Sequence, residues 1–482
     1  MERTRWGRAG VMVAVAGVIA AGVSCSFILG GFKECTTEAE CAGRASSGDG
    51  GSSDFVCSAG GYCLPVDSRC VILGPKTGEA WEWGAIMPKT LATGALHQWG
   101  PSWEGTIKIV VDELNGRTGV QGKSIRVYSC DSRSSTATAT ELADYLVNTV
   151  RVPVILSDGS GETIAESRIT IPAGVLLLSG AATSPELTSL ADLPRDGGNV
   201  GLVWRTTPSD ALQAPIIARQ ILDAGTGTVP KVFVFARDDA FGQGLANGFS
   251  TAYPATLADG GSARGSYFVN PSDLSTVTPA LAAADAFRPD VMVVIGFPAE
   301  LVAIVNGTAT HPVLNSASWF FTQNAKFPAL FQQVTGGVPI EGARGTSPSP
   351  GYDTSAASIF FRQKFAQTGV PFSSVVDLSN VYDAAMLTAI ATDYAITRDG
   401  TPNGIRMAEA LTRVSTDGGL GVDLTPTSFN TALSELNAGR NIDIEGASGH
   451  LNFNNVTGEA PADYEVWKIV GQSFVTQYTV PP

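Results

Sequence analysis

The sequence predicts an α/β protein of two similar lobes, each built on a parallel sheet, behind a small disulfide-rich N-terminal module. From about Glu79 onward, short apolar runs alternate with amphipathic stretches, the pattern of βαβ units. The alternation runs once as far as Arg205 and begins again after Pro208, which indicates two lobes. Most of the cysteines crowd between Cys35 and Cys70, around a Gly/Ser/Asp-rich stretch from Gly43 to Asp54 that cannot build a hydrophobic core and must be organised by bridges.

The chain opens on an export signal. Arg3, Arg5 and Arg8 form a positive region, and Ala9 to Val23 an apolar stretch too short for a typical membrane span. It ends in Gly22-Val23-Ser24-Cys25, which resembles a bacterial lipobox with Gly22 where leucine is usual. Cys25 is then the lipidation site. The alternative is an ordinary secretory signal whose Cys25 joins a disulfide. Ser26, rather than Asp, after the cysteine resembles lipoproteins sorted to the outer membrane.

Setting Cys25 aside leaves six of the seven cysteines, an even number in an exported chain. Among the connectivities open to them, the favoured set is Cys35 with Cys57, Cys41 with Cys63, and Cys70 with Cys130, the last stapling the module to the main body. No C-x-x-C spacing or neighbouring histidine supports a metal site, so none is expected.

In the first lobe the predicted strands are 83–87, 124–129, 152–156, 174–178 and 201–205, with helices over 103–114 and 137–149. In the second, a helix over 210–224 precedes strands 231–236, 265–268, 291–295 and 318–322. Further helices are predicted over 355–368 and 379–398, and a terminal hairpin over 449–453 and 464–470. No internal repeat of solenoid period is visible. The chain of 482 residues with 44% hydrophobic content is long enough for two to four domains.

The net charge of −14 and the absence of Lys/Arg runs exclude nucleic acid as a partner. Catalytic motifs are also missing. His97, His311 and His450 are far apart and sit in no metal motif, and no G-x-S-x-G elbow occurs. Gly242-Gln243-Gly244 only partly matches a dinucleotide fingerprint, and Asp238 and Asp239 are adjacent in a loop rather than converged. No cofactor and no enzymatic activity are expected.

The segment from Ser179 to Thr188, S-G-A-A-T-S-P-E-L-T, carries the most chemistry. An apolar strand is followed by small residues, then Thr183 and Ser184 as N-cap candidates, then Pro185 at a first helical position. Unpaired N–H groups and the positive end of a helix dipole there suit a carboxylate, the dipole contributing roughly 0.3 to 1 kcal/mol when exposed. An ordinary capped helix is the competing reading.

That segment falls in order with Q-W-G at 98–100, V-D-E-L-N-G at 111–116, G-V-Q-G-K at 119–123, R-T-T-P-S-D-A-L-Q at 205–213, D-D-A-F-G-Q-G-L-A at 238–246 and V-Y-D-A-A at 381–385. Together they resemble the type I periplasmic solute-binding proteins, in the branched-chain amino-acid (leucine-binding) branch, from about Gly84 to the C-terminus. The resemblance implies two Rossmann-like lobes joined by three crossings, near 205–210, 341–345 and 454–459, closing on a small ligand. It divides the chain into a signal (1–24), a lipid-anchored Cys-rich stalk (25–78), an N-terminal lobe (79–205 and 343–455) and a C-terminal lobe (206–342 and 456–482).

It also implies ligand-binding residues. The backbone at Ala181 and Ala182 and the hydroxyl of Thr183 would hold the ligand's carboxylate and amino group, against a pure capping role for Thr183. Ser160, in D-G-S-G, would reach the same carboxylate or be a plain turn serine. Glu300 would meet the ligand's ammonium or be a solvated helix-start acid. Trp99 and Phe241 would line the cleft from opposite lobes or pack in the core; Phe in place of the commoner Tyr favours an apolar or aromatic ligand portion. Tyr382 reads as structural. The function implied is capture of an amino acid or similar small carboxylate by cleft closure, for an ABC permease, by a lipid-anchored envelope protein. A sensory or protein-interaction role on the same fold, for instance regulating a cell-wall enzyme, is the alternative.

Overall fold

A computed structural model of the chain describes residues 35–37, 40–41, 55–57, 61–193, 199–225, 227–335, 339–349, 354–415 and 418–482. The signal, Cys25 and the Gly43–Asp54 stretch lie outside them.

The N-terminal module is held as expected: Cys35 is bonded to Cys57, Cys41 to Cys63 and Cys70 to Cys130. The first two bridges form its small core with Phe55, beside the antiparallel pair β1 (Phe55–Cys57) and β2 (Cys63–Pro65). The third joins neighbouring strands. β3 (Cys70–Leu73) runs antiparallel to β5 (Ser124–Asp131) with Cys70 directly opposite Cys130, so the module supplies the edge strand of the first lobe's sheet.

That sheet has the order β3-β5-β4-β6-β7-β8, with β4 (Ala80–Met87), β6 (Val154–Ser157), β7 (Leu176–Ser179) and β8 (Val203–Arg205) all parallel to β5. Every residue of V-I-L-S in β6 and L-L-L-S in β7 is buried, as a parallel strand covered on both faces requires. Trp83, Leu156 and Leu178 face the helices Gly100–Asn115 and Leu378–Asp399, while Ile86, Ile155 and Leu177 face Thr136–Asp144 and Ser160–Ala173. Strand order reverses direction between β4 and β6, so the loops after them diverge and leave a crevice at the carboxyl ends.

The second sheet has the order β10-β9-β11-β12-β13-β16-β17. β9 (Val232–Arg237), β10 (Arg264–Val269), β11 (Val291–Ile295), β12 (Ser318–Phe321) and β13 (Arg344–Pro348) are parallel; β16 (Tyr464–Val470) and β17 (Ser473–Val480) close it antiparallel. Alternation along β9 sends Phe233 and Phe235 to Leu281 and Trp467, and Val232 and Val234 to Ile217 and Phe249. A third, two-stranded sheet pairs β14 (Leu420–Asp423) with β15 (Ile442–Glu445).

The structure differs from the sequence reading at several points. The second crossing, expected near 341–345, lies later, because β13 still pairs with β12 and β16; Ser349 N–H then donates to Asp463 O at 2.7 Å, setting the second and third crossings side by side. Residues 449–453 form no strand: Glu445 and His450 make one isolated bridge, and the partner of β16 is β17, reached through Gly471 and Gln472. Both of these have positive φ, 55° and 62°, the two-residue turn that matches hairpin twist. Ser160, read as a loop residue, opens the helix Ser160–Ala173 behind Gly159, whose φ of 94° only glycine adopts without strain.

Candidate functional site

Loops from both sheets converge between the lobes. From the first come the segments after β4, β6 and β7, from the second those after β9, β11 and β12. His97, at the end of the β4 loop, is buried and accepts hydrogen bonds at Nδ1 from Trp99 N–H (3.3 Å) and Gly100 N–H (3.1 Å), capping the following helix. Burial, with the nearby Arg237 charge, pushes its imidazole down to about 4, so it stays neutral.

Trp99 and Phe241 do lie on opposite lobes, and Phe297 joins them. Its ring meets Trp99 edge-on at 5.2 Å and stacks on Phe241 at 5.7 Å, with the Arg237 guanidinium 4.2 Å above it. Such aromatic and cation–π contacts contribute roughly 0.5–1.5 kcal/mol each beyond burial. Phe297 stands in G-F-P-A ahead of Glu300, yet nothing in its local sequence marks it as the ring that crosses the cleft.

Glu300 reaches this place but not as a free acid. Its Oε1 accepts from Arg237 Nη1 and its Oε2 from Phe297 N–H at 3.1 Å. Arg237 also pairs with Asp239. What this corner offers is a neutralised guanidinium rather than an ammonium receptor.

The Ser179–Thr188 segment departs from the sequence reading in a similar way. The helix expected after Pro185 is a five-residue 3-10 turn, Pro185–Ser189, capped by Ser184. So few aligned peptides sum to little dipole. The turn's donors are also engaged: Gly180 N–H goes to Asp158 Oδ1 (3.2 Å), Ala181 and Ala182 N–H to Ser179 Oγ (3.3 and 3.0 Å), and Ser184 N–H to Ser160 Oγ (3.1 Å). Thr183 donates its hydroxyl to Asp210 Oδ2 at 2.8 Å. Arg205 underpins the turn, donating to Ala182 O and Ser184 O and pairing with Glu459 of the third crossing.

The acids of the cleft were not singled out from sequence. Asp158 is 1% exposed, and its Oδ2 has no partner among the described residues; burial, then the charge of Asp377, holds it well above the usual carboxylate range. Burial pushes Asp210 up to about 7 against the pull of Thr183 and Arg205, and pushes Asp377 up to about 7 with the charge of Asp210 adding to it. Asp383, in the Y-D-A motif, is a clamp instead: its oxygens accept from Ala447 N–H (2.7 Å) and Ser448 N–H (2.8 Å). Tyr382 beside it is buried, its hydroxyl donating to Leu424 O at 2.9 Å.

A cavity of about 720 Å³ opens between the lobes next to these acids. Asp377, Val376 and Phe372 line it from the first lobe; Gln323, Lys326 and Glu465 line it from the second. That volume is in the range of small-molecule sites.

The comparisons with known proteins agree with this architecture. A family model described as periplasmic binding protein matches residues 84–437. The chain belongs to that family. It is a type I periplasmic binding protein of the branched-chain amino-acid group, and family membership makes it an exported binding protein of the periplasm or cell envelope.

Among its relatives is the "chemotactic signal transduction system substrate-binding protein BasB" of Halobacterium salinarum, 24% identical over 387 residues, which are 77% of this chain and 82% of that protein. The Leu/Ile/Val-binding protein of Escherichia coli is 28% identical over 155 residues, 32% of this chain and 39% of its own length. The leucine-binding protein LivK of Thermotoga maritima superposes with a TM-score of 0.64 at 19% identity, covering 83% of this periplasmic binding protein and 99% of LivK. A benzoate-bound solute-binding protein from R. palustris does so with a TM-score of 0.61 at 15% identity, covering 84% and 97%.

Proposed function

We propose that this periplasmic binding protein is a lipid-anchored receptor, held by Cys25, that captures an amino acid or similar small carboxylate between its lobes and hands it to an ABC permease. The observation that carries the reading is the pairing of a roomy interlobe cavity with a seam of rings, Trp99 to Phe297 to Phe241, made between lobes. Contacts made only when the lobes meet supply the differential affinity that shifts the population toward the closed form.

In this reading Ala181, Ala182 and Thr183 exchange their present acceptors, Ser179 and Asp210, for the ligand's carboxylate on binding, with Ser160 beside them, Trp99 and Phe241 flanking the rest and Glu300 holding Arg237 in place. Support comes from the ligands bound in structural neighbours, isoleucine in one and benzoate in another. A thermal-shift screen of the mature protein against amino acids, amides and aromatic acids tests it. Saturation at a hundred times Kd should add about 2.7 kcal/mol of stability, and no stabilisation by any solute would overturn it.

A sensory role is the second reading, favoured by BasB, whose name places it in a chemotactic signalling system. Co-purification of the protein with a permease supports transport; co-purification with a signalling partner supports sensing.

A further inference from the structure

We propose that the outer edge of the second sheet is a self-association surface, and that two copies of this chain pair antiparallel through β17 about a two-fold axis at Val475. The surface lies outside the cleft and does not depend on what the receptor binds.

β17 is the last strand of its sheet, paired with β16 on one side and, among the described residues, with no strand on the other. The direction of its free groups follows from its neighbour. Ile469 N–H donates to Ala343 O at 2.8 Å and Ile469 O accepts from Gly342 N–H at 3.0 Å, both on the β13 side. Backbone groups alternate along an antiparallel strand, so Lys468 turns its own toward β17. Val475 stands opposite Lys468 and is its hydrogen-bonded partner. Phe474 and Thr476, on either side of Val475, therefore point their N–H and C=O groups outward. Gln477, which has no opposite residue in β16, bulges beyond this stretch and leaves 473–476 regular.

The other edges of the two large sheets are protected. β8 is three residues long and wholly buried, β3 has four residues, and β10 begins with Arg264 and has Ser266 as its one exposed residue. β17 has eight residues, six of them exposed, including Val475 at 40% and Tyr478 at 48%. From Ile469 to Pro482 no side chain is charged, so the edge lacks the charges that ordinarily prevent pairing. Its sequence, S-F-V-T-Q-Y-T-V, is rich in the β-branched and aromatic residues that suit a paired strand.

The same residues fix the occupant. With a net charge of −14, copies of the chain repel one another, and an uncharged edge is where they can meet. An axis at Val475 sets Phe474 opposite Thr476 of the second copy, and Thr476 opposite its Phe474, so the outward groups satisfy each other in two hydrogen-bonded pairs. The two Val475 side chains then face each other in the closer, non-hydrogen-bonded pair between them. Val475 shares its sheet face with Lys468. Across the axis the two Lys468 side chains stand three strand spacings, roughly 14 Å, apart, beyond the screening length of ~8 Å at physiological salt. Pairing uses up the one such edge of each copy, so the assembly closes at two.

Sedimentation analysis across the micromolar range tests this on the mature chain carrying Cys25→Ser, so that no lipid drives association. A concentration-dependent dimer is expected, with hydrogen-exchange protection of residues 473–480 rising as the dimer forms. Val475→Lys sets like charges directly opposite and should weaken the dimer at least tenfold while leaving the monomer's melting temperature unchanged. Val475→Cys should cross-link two copies under mild oxidation, because the non-hydrogen-bonded pair brings the Cα atoms within disulfide reach, whereas Thr479→Cys on the same strand should not. Exchange and cross-linking decide the matter if Val475→Lys fails to fold. A monomer across the whole range overturns the proposal, and so does a dimer that leaves β17 unprotected or cross-links equally at Thr479, whatever the solute screen returns.

Discussion

Thr183 donates its hydroxyl to the Asp210 carboxylate at 2.8 Å, and Asp210 N–H returns a bond to Thr183 O at the same distance. The pair ties the turn of the first lobe to the first helix of the second, directly beside the first crossing. Thr183→Val removes the hydroxyl and leaves a buried acceptor unsatisfied, which should cost about 1–3 kcal/mol in urea unfolding. The hydrogen bond holds Asp210 down against burial, so its removal raises that group further. The loss should then be larger at pH 8 than at pH 5.

Buried acids set the pH dependence of the unliganded protein. Burial pushes Glu162, Asp210, Asp377 and Asp383 up to about 7 from their ordinary values near 4, and pushes Asp158 up as well. A carboxyl raised in the folded state binds more protons there than when unfolded, so stability falls as pH rises between the two values. Calorimetric scans should show a higher melting temperature near pH 5.5 than at pH 8. His97, lowered to about 4, opposes this below about pH 6.5, but it is one group against several.

Glu300→Ala should act on folding, not only on ligand affinity. It removes one of the two carboxylates paired with the largely buried Arg237, and breaking a buried pair costs about 3–5 kcal/mol. Glu300→Gln, which can still accept from the Phe297 N–H, should recover part of that. Chemical denaturation of the three proteins checks the ordering.

Cys70→Ser with Cys130→Ser should lower stability by about 2–4 kcal/mol, because the bridge spans 60 residues and fixes an edge strand to the first sheet. Loss of Cys35–Cys57 and Cys41–Cys63 should loosen only the module, as their core is made of the bridges and Phe55. Melting curves of the separate variants would distinguish these outcomes.

Much of the fold was legible in the sequence for one reason. Parallel strands covered on both faces are written as continuous apolar runs, and 291–295 is read and observed at the same residues. β13 escaped because R-G-T-S-P is polar. It is buried through partners distant in sequence: Gln213 Nε2 donates to Thr346 Oγ1 from 133 residues away, and Ser347 Oγ to Glu465 from 118 away. The helix Ser160–Ala173 escaped because its glycine start imitates a loop and its buried face includes Thr163, Glu166 and Ser167.

Cysteine parity, the alternating pattern and the ordered family segments determined the module, the lobes and the family. They also brought attention to loops that meet between the lobes. Which carboxylate in those loops is free was decided only by the tertiary structure. Glu300 and Asp377 are both acids at the start of a helix, and only Glu300 stands near where the family resemblance expects a ligand-binding acid. Folding brings Arg237, 63 residues away, onto Glu300, while Asp377 is turned from its own helix toward the cavity. Whether a buried charge is satisfied depends on donors gathered from across the chain, and no local pattern encodes that sum.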